Sequence, residues 1–294
     1  MELLDQKLPF VNTLFKGIGQ IMLQENALTG LLFLAGIFYG SILMGIGALL
    51  AVLSGTLTAT ILNYDKKEIQ QGLYGFSATL VGVALILFFK PALFIWIAII
   101  IGSALAAIIQ HWCMIKKIPV FTLPFVVVTW VIIFFFHQIY PIPASELLTA
   151  ETHINNDFTF AFRGFGEVIF QGSALSGIIF FIAVFISSPI SALYGIAGAI
   201  LAAILSAIFS APIASIEMGL FSYNAVLCAI VFAGSKPKDG LWATASIILS
   251  VIVAFLMNRF NLIQLTFPFV AATCITLFFK NLNLRQRLEQ TITN

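Results

Sequence analysis

Two glutamates, Glu167 and Glu217, border long uncharged stretches of the sequence, where a carboxylate could carry a proton or cation or accept hydrogen bonds. The residues from 168 to 216 include no Asp, Glu, Lys or Arg. When the two halves of the chain are aligned at an offset of 147 residues, Gln20 stands opposite Glu167 and Gln70 opposite Glu217. Glutamine cannot ionise, so a shared role would rest on its side-chain oxygen as a hydrogen-bond acceptor. This comparison favours the acceptor role for Glu167 over a relay, whereas Glu217 fits a helix N-cap or interface position at least as well.

Two threonines are the next residues whose spacing suggests chemistry. Thr122 and Thr266 each stand two residues before a proline, in the matching frames Thr-Leu-Pro-Phe and Thr-Phe-Pro-Phe. One interpretation is that each hydroxyl satisfies carbonyls freed by the proline. The other is that the two hydroxyls face each other at the centre of a pore. The symmetry of the frames leaves both interpretations open.

Aromatic residues also recur in matched places. Phe76 and Tyr223 correspond at the same offset of 147, and each precedes a leucine, Leu80 or Leu227, by four residues. Residues four apart share one face of a helix. Most of the 30 phenylalanines must pack or face lipid, but a symmetric pair of this kind favours flat, apolar walls along a pore.

These residues belong to an internal repeat. The segment Phe15–Gln24 resembles Phe162–Gln171, and Gly72–Leu80 resembles Gly219–Leu227, both at an offset of 147 residues. The Thr-X-Pro-Phe frames follow in the same order at an offset of 144. Three ordered blocks at nearly constant spacing indicate two copies of one structural unit.

The elements that position these residues must lie in a membrane. Hydrophobic residues make up 61% of the chain and charged residues only 9%, and the mean hydropathy is +1.07. A soluble protein carries about 25% charged residues, so a soluble enzyme is excluded. The sequence lacks phosphate-loop, zinc-protease and serine-hydrolase motifs. We therefore expect no enzyme activity, no catalytic residues, no metal, no cofactor and no nucleic-acid partner.

The apolar stretches between charged residues predict an all-α membrane protein with ten transmembrane helices, five in each half. With this count, eleven lysines and arginines lie on the side of both termini and three (Lys90, Arg163 and Arg259) lie on the other. The positive-inside rule then places both termini in the cytoplasm. An odd number of spans per half inverts the second copy, and such repeats place a substrate path at their interface, often with discontinuous or re-entrant helices.

The expected organisation has five parts. Residues 1–14 form an N-terminal interfacial segment rather than a cleaved signal peptide. They are followed by a first repeat half (15–138), an external connecting loop (139–161), a second, inverted half (162–282) and a cytoplasmic C-terminal tail (283–294).

The repeated blocks resemble those of the urea transporter family. Gly72-Leu73-Tyr74-Gly75-Phe76-Ser77-Ala78-Thr79-Leu80-Val81-Gly82 is similar to the family signature G-L-x-G-F-N-x-x-L-V-G. Gly219–Leu227 is similar to its second copy, and the Thr-X-Pro-Phe frames are similar to the T-x-P-F elements of the family. Ser77 departs from the signature asparagine, and Ser222-Tyr223 departs from Gly-Phe in the second copy. The size of the chain suggests a bacterial member, hence one of the inner membrane.

The resemblance implies a homotrimer in which each protomer conducts urea passively through its own pore. It implies two opposed rows of acceptors, begun by the side chains of Gln20 and Glu167 and continued by backbone carbonyls. It also implies narrow slots at both ends of the pore and a constriction at Thr122 and Thr266. The carbonyl rows are at Ile21, Met22, Leu23, Val168, Ile169 and Phe170, and the slots are formed by Phe76, Leu80, Tyr223 and Leu227 with Leu23 and Phe170.

Two alternatives stay open from the residues. The first is a proton- or cation-coupled secondary transporter of a small polar amide, with Glu167 as the coupling carboxylate. The second is a membrane scaffold subunit without a pore, which the repeated polar blocks disfavour. The sequence leaves open whether water, ammonia or other small amides also pass.

Overall fold

The structure is a computed structural model that describes residues 8–148 and 159–293. Residues 1–7 of the expected interfacial segment and residues 149–158 of the expected external loop lie outside the described residues. In the expected C-terminal tail, the side chains beyond residue 283 also lie outside them. The described residues are helical apart from their connections and one isolated antiparallel bridge between Phe89 and Ala144. The all-α class is therefore confirmed.

Seven helices form the part of the first half that the structure describes. They are α1 (Pro9–Gly19), α2 (Ala27–Gly40), α3 (Ile42–Ile61), α4 (Lys66–Gln70), α5 (Phe76–Phe88), α6 (Leu93–Ile115) and α7 (Leu123–Phe134). A 3₁₀ turn, Gln20–Met22, extends α1, and a π turn, Phe135–Ile139, extends α7.

The described residues after the connecting loop form the same series again. These helices are α8 (Phe160–Glu167), α9 (Ala174–Ser187), α10 (Pro189–Ile208), α11 (Ile213–Glu217), α12 (Tyr223–Phe232), α13 (Pro237–Arg259) and α14 (Phe267–Thr293). The bounds of α3 and α10 differ by 147 residues at both ends, and those of α6 and α13 by 144. The two offsets are those of the sequence blocks.

Unusual backbone conformations recur at the same offsets. Leu23 and Phe170 both have a positive φ, of 59° and 58°, and Gly72 and Gly219 have φ of 78° and 80°. A positive φ is uncommon for a residue with a side chain. Its recurrence at matched positions shows that the two halves share details of their turns as well as their helices.

Local sequence explains where several helices begin. The side chain of Asn26 accepts hydrogen bonds from the backbone of Leu28 and Thr29 at the start of α2. Ser41 caps α3 in the same way. Side-chain oxygens at these positions satisfy amide groups that have no partner within the helix. The Ser41 cap thus separates α2 from α3 within an uncharged stretch that contains no polar loop.

Four described helices, α3, α6, α10 and α13, are long and apolar enough to cross a membrane. A fifth span arises if Pro9–Met22 and Ala27–Gly40, which meet at 75°, are counted as one broken segment. The helices α5, α7, α9 and α12 are apolar but have only 10 to 17 residues, with the π turn counted in α7. A multi-pass membrane protein is confirmed at this level, and ten spans stay a prediction.

The two halves pack against each other through α2 and α9. The Thr29 hydroxyl donates to the backbone carbonyl of Ala183 at 2.9 Å, and the Ser176 hydroxyl donates to that of Gly36 at 3.0 Å. The two donors, Thr29 and Ser176, are 147 residues apart, and so are the two acceptors, Gly36 and Ala183. Every buried hydroxyl at this contact thus has a partner in the other half, as a buried polar group requires.

Candidate functional site

Two cavities lie near a contact between Thr122 and Thr266, because Thr122 lines the first and Leu265, the residue before Thr266, lines the second. The first cavity, of about 280 Å³, is lined by Gln20, Ile21, Leu23, Leu73, Phe76, Gln110, Met114, Ile118, Pro119, Val120, Phe121, Thr122 and Phe269. The second, of about 400 Å³, is lined by Leu87, Phe88, Glu167, Phe170, Ser215, Leu220, Phe221, Tyr223, Asn258, Leu262, Ile263, Gln264 and Leu265. Residues at the rim, such as Ile118 and Leu262, are 45% and 55% exposed. Each cavity therefore reaches the protein surface.

The hydroxyl oxygens of Thr122 and Thr266 are 2.6 Å apart and share a hydrogen bond. Both residues are buried, at 2% and 1% exposed. Each follows a residue with a φ of 45°, Phe121 or Leu265. The turn so formed leads into α7 or α14, where proline in the first turn removes no intrahelical hydrogen bond. The proline frame thus fixes the backbone at each threonine, and packing of the two halves brings the hydroxyls together.

The segment that extends α1 ends beside the first cavity. The last carbonyls of a helix have no partner within it. At Leu23 the chain takes a left-handed conformation, its amide bonds back to the Gln20 carbonyl at 3.0 Å, and the helix stops. The carbonyls of Ile21 and Leu23 accept no hydrogen bond from a described residue. Both residues line the first cavity.

The second half repeats this ending at Phe170, whose amide bonds to the Glu167 carbonyl at 3.1 Å. The carbonyls of Val168 and Phe170 accept no hydrogen bond from a described residue. Phe170 lines the second cavity, while the side chains of Val168 and Ile169 are fully buried. Each of the two helix endings therefore leaves an unpaired carbonyl in a residue that lines a cavity.

Two glutamines that the sequence interpretation did not select hold these turns. Gln24 Nε2 donates to the Met22 carbonyl at 2.8 Å, and Gln171 Nε2 donates to the Ile169 carbonyl at 3.1 Å. Of the six carbonyls expected as acceptors, those of Met22 and Ile169 thus already accept one hydrogen bond each. The identity of Gln24 and Gln171 at an offset of 147 was a signal in the sequence that could have identified them.

Gln20 lines the first cavity, and its side-chain amide is held by one hydrogen bond. Its Nε2 donates to the backbone carbonyl of Gln71 at 3.0 Å, which fixes the orientation of the side-chain amide. Glu167, its counterpart, lines the second cavity and is partly buried. Arg163 lies one helical turn before Glu167 on α8. Gln20 and Glu167 thus occupy matching places beside the two cavities.

The expected slot residues separate into two groups. Phe76 and Leu23 line the first cavity, and Tyr223 and Phe170 line the second. Leu80 and Leu227 are fully buried and border neither cavity. The structure brings other aromatic rings to the first cavity instead, because Phe121 and Phe269 meet there edge to face, with ring centroids 5.3 Å apart.

Tyr223 and Asn224 hold the turn before Thr266. The Tyr223 hydroxyl donates to the Leu265 carbonyl at 2.7 Å, and Asn224 Oδ1 accepts from the Phe269 amide at 3.2 Å. Asn224 was missed in the sequence because its counterpart is a serine, Ser77. The buried Ser77 hydroxyl has no hydrogen-bond partner among the described residues. The second half therefore ties its threonine turn more tightly than the first.

Comparison with known proteins gives one family. A family described as "Urea transporter" matches residues 11–281. "Urea transporter 1" of Ovis aries is 27% identical over 308 aligned positions, which cover 95% of this chain and 79% of the sheep protein. The protein of the same name from Capra hircus gives the same identity and coverage. That of Mus musculus is 26% identical over 251 positions, covering 77% of this chain and 64% of the mouse protein.

Proposed function

This chain belongs to the urea transporter family, and from that premise we propose that it is a passive urea channel whose path joins the two cavities between Thr122 and Thr266. Urea transport agrees with the sequence interpretation, and the chain is a membrane transporter rather than an enzyme. The proposal concerns the route and the passive mechanism.

The chemistry of urea supports this route. Urea is flat and uncharged and carries four N–H donors, so removing its water costs several kcal/mol unless acceptors replace the lost hydrogen bonds. The first cavity offers the Gln20 side-chain oxygen and the Ile21 and Leu23 carbonyls. The second offers Glu167 and the Phe170 carbonyl. Because these acceptors belong to protein segments fixed by Gln24 and Gln171, they need no large movement to receive the substrate.

The hydrogen bond between the two threonines is the observation that carries the proposal. Urea moving from one cavity to the other replaces that bond with two of its own, one to each hydroxyl. The exchange keeps both buried hydroxyls satisfied throughout, so passage avoids the cost of an unpaired polar group. A pair of apolar residues at this point would offer the dehydrated substrate nothing. Several sites of similar strength in series let a solute move on without being trapped.

We also propose that the two halves are inverted in the membrane, with ten spans or partial spans and both termini in the cytoplasm. Support comes from the helix bounds and the positive φ values that recur at fixed offsets. On this arrangement the broken segments α1–α2 and α8–α9 enter from opposite faces. Under the proposal the chain is a homotrimer in a bacterial inner membrane, and native mass spectrometry in detergent measures the number of subunits.

Purified protein in proteoliposomes tests the function. We expect urea to equilibrate across the vesicle membrane much faster than in empty liposomes, without accumulation in response to a pH gradient or membrane voltage. Accumulation of urea or a small amide against its gradient would contradict the passive mechanism and would favour a coupled transporter with Glu167 as the coupling group. Permeability equal to that of empty liposomes would favour a subunit without a pore. Water, ammonia and formamide measured in the same vesicles define the selectivity.

A further inference from the structure

The first cavity contains a buried amide that the channel mechanism above does not use. Gln110 lies on α6, is 6% exposed and lines the first cavity. Its Oε1 is buried and has no hydrogen-bond partner among the described residues. An unpaired buried carbonyl is costly, and native proteins keep few of them. Such a group in the wall of a substrate cavity points to a ligand that donates hydrogen bonds.

The second cavity contains an amide in the same condition. Gln264 Nε2 donates to Asn258 Oδ1 at 2.6 Å and to the Ala254 carbonyl at 3.3 Å. These two bonds engage the amide nitrogen, whereas Oε1 is also buried and has no partner among the described residues. Gln264 lines the second cavity. The unpaired atom is thus an acceptor at both cavities.

The repeat relates the positions of these two amides. The offset of 144 residues between α6 and α13 places Ala254 opposite Gln110. Ala254 has no amide of its own, and the amide of Gln264 lies against its backbone. The Gln264 amide therefore lies beside the position that corresponds to Gln110 in the other half. An alignment of the two halves does not pair Gln110 with Gln264, so only the folded structure shows that the Gln264 amide lies beside Ala254.

We propose that Gln110 and Gln264 form an accessory urea-binding subsite in each cavity, before the solute reaches Gln20 or Glu167. The inference rests on the proposed function. At each subsite the glutamine oxygen, which is buried in the cavity wall, turns into the cavity. There it accepts an N–H of urea and replaces one water molecule of its hydration shell. Apolar residues such as Met114 and Ile118 in the first cavity, and Leu262 in the second, contact the flat face of the molecule. Urea is thereby partly dehydrated before it meets the inner acceptors.

The test replaces each glutamine by methionine, which has a similar length and no amide. Urea influx is measured over a wide concentration range in right-side-out and inside-out vesicles, so that each cavity in turn faces the added urea. Gln110→Met should raise the half-saturation concentration about two- to tenfold from the face of the first cavity, the effect of one neutral hydrogen bond. Gln264→Met should do so from the opposite face. Gln138→Met, at an exposed residue that lines neither cavity, is the matched control.

Two further readouts separate a binding role from a structural one. In a passive channel the permeability at low urea concentration is the same in both directions and depends on the highest barrier along the path. A variant that weakens a binding site without raising that barrier should therefore keep a low-concentration permeability near the wild-type value. Because methionine removes an unpaired buried amide, Gln110→Met should keep or raise the melting temperature. A lower melting temperature with reduced flux at every concentration would assign Gln110 to stability alone. Gln110→Ala repeats the test with a smaller side chain.

The outcomes distinguish this inference from the proposed function. If wild-type vesicles conduct urea and both methionine variants keep the wild-type half-saturation concentration from both faces, the subsites do not exist and the channel proposal stands. If wild-type vesicles conduct no urea above the level of empty liposomes, the channel proposal fails and the subsites fail with it.

Discussion

Replacing Thr122 and Thr266 together by valine removes both hydroxyls between the cavities while nearly keeping the shape of the side chains. Urea at this point then loses its two hydrogen bonds to the hydroxyls, but the bond between the two threonines no longer has to be broken. The net loss is therefore one hydrogen bond, with a value of about 0.5–1.5 kcal/mol. The barrier rises by about 0.5–1.5 kcal/mol, and since about 1.36 kcal/mol corresponds to a factor of ten, we expect urea permeability to fall about two- to 13-fold. Stopped-flow light scattering of proteoliposomes with equal protein content measures it.

The chain offers a matched control for this pair. Thr129 and Thr276 are buried threonines on α7 and α14, the helices that begin next to the pair, and their hydroxyls have no partner among the described residues. The double variant Thr129→Val, Thr276→Val therefore makes the same chemical change near the path but not in it. We expect wild-type permeability from this control.

Stability gives an independent check on the same pair. Each hydroxyl is the partner of the other. A single variant, Thr122→Val, leaves the Thr266 hydroxyl buried and unpaired, which costs about 1–3 kcal/mol, whereas the double variant leaves no unpaired group. The double variant should therefore unfold at a higher temperature than either single variant. Wild-type permeability in the double valine variant would refute the role of the hydroxyls in conduction, and a higher permeability would show that their hydrogen bond is a gate.

Three further predictions concern the acceptors and the packing around them. Glu167→Gln should retain most of the urea flux because it keeps an acceptor, whereas Glu167→Leu should lower the flux about two- to tenfold, the effect of one neutral hydrogen bond. Stopped-flow light scattering measures both variants, and equal fluxes would argue against the acceptor role. Gly30→Ala should lower the free energy of unfolding by about 1–3 kcal/mol, because a Cβ at this position would overlap the backbone of α1. Gly240→Ala is the control, since the nearest atom to its added Cβ is 3.8 Å away. Thermal unfolding in detergent compares the two variants. Asn224→Leu leaves the buried Phe269 amide without its acceptor and should reduce both the melting temperature and the urea flux, and loss of neither would show that this contact is dispensable.

Composition alone established the class of this protein. With 9% charged residues the chain cannot cover a water-exposed surface, and the structure confirms apolar helices long enough to span a membrane. The repeat was visible because each copy keeps the residues that its own turns need. Gly72 and Gly219, which adopt a positive φ, and the proline frames at Thr122 and Thr266 are local requirements, so they leave a trace at fixed spacing in the sequence.

The number of complete spans was harder to derive from hydropathy. Apolar stretches such as Ala27–Gly40 and Phe76–Phe88 contain 14 and 13 residues of helix, fewer than the usual requirement for a full span. An uncharged window gives the length of the apolar segment but does not show where the chain turns inside it. Such a turn is stabilised only when protein or water satisfies the freed backbone groups, as at Leu23.

The sequence by itself determined the membrane class, the two copies, the family and several of the residues around the two cavities. Only the tertiary structure decided which of these residues meet. Thr122 and Thr266 are 144 residues apart, and their contact depends on how the two halves pack. The contact between the Gln264 amide and the Ala254 carbonyl likewise depends on packing, because the repeat gives no counterpart of Gln264 at this position. Local conformation follows from neighbouring residues, whereas contacts between distant ones follow from the burial of whole helices.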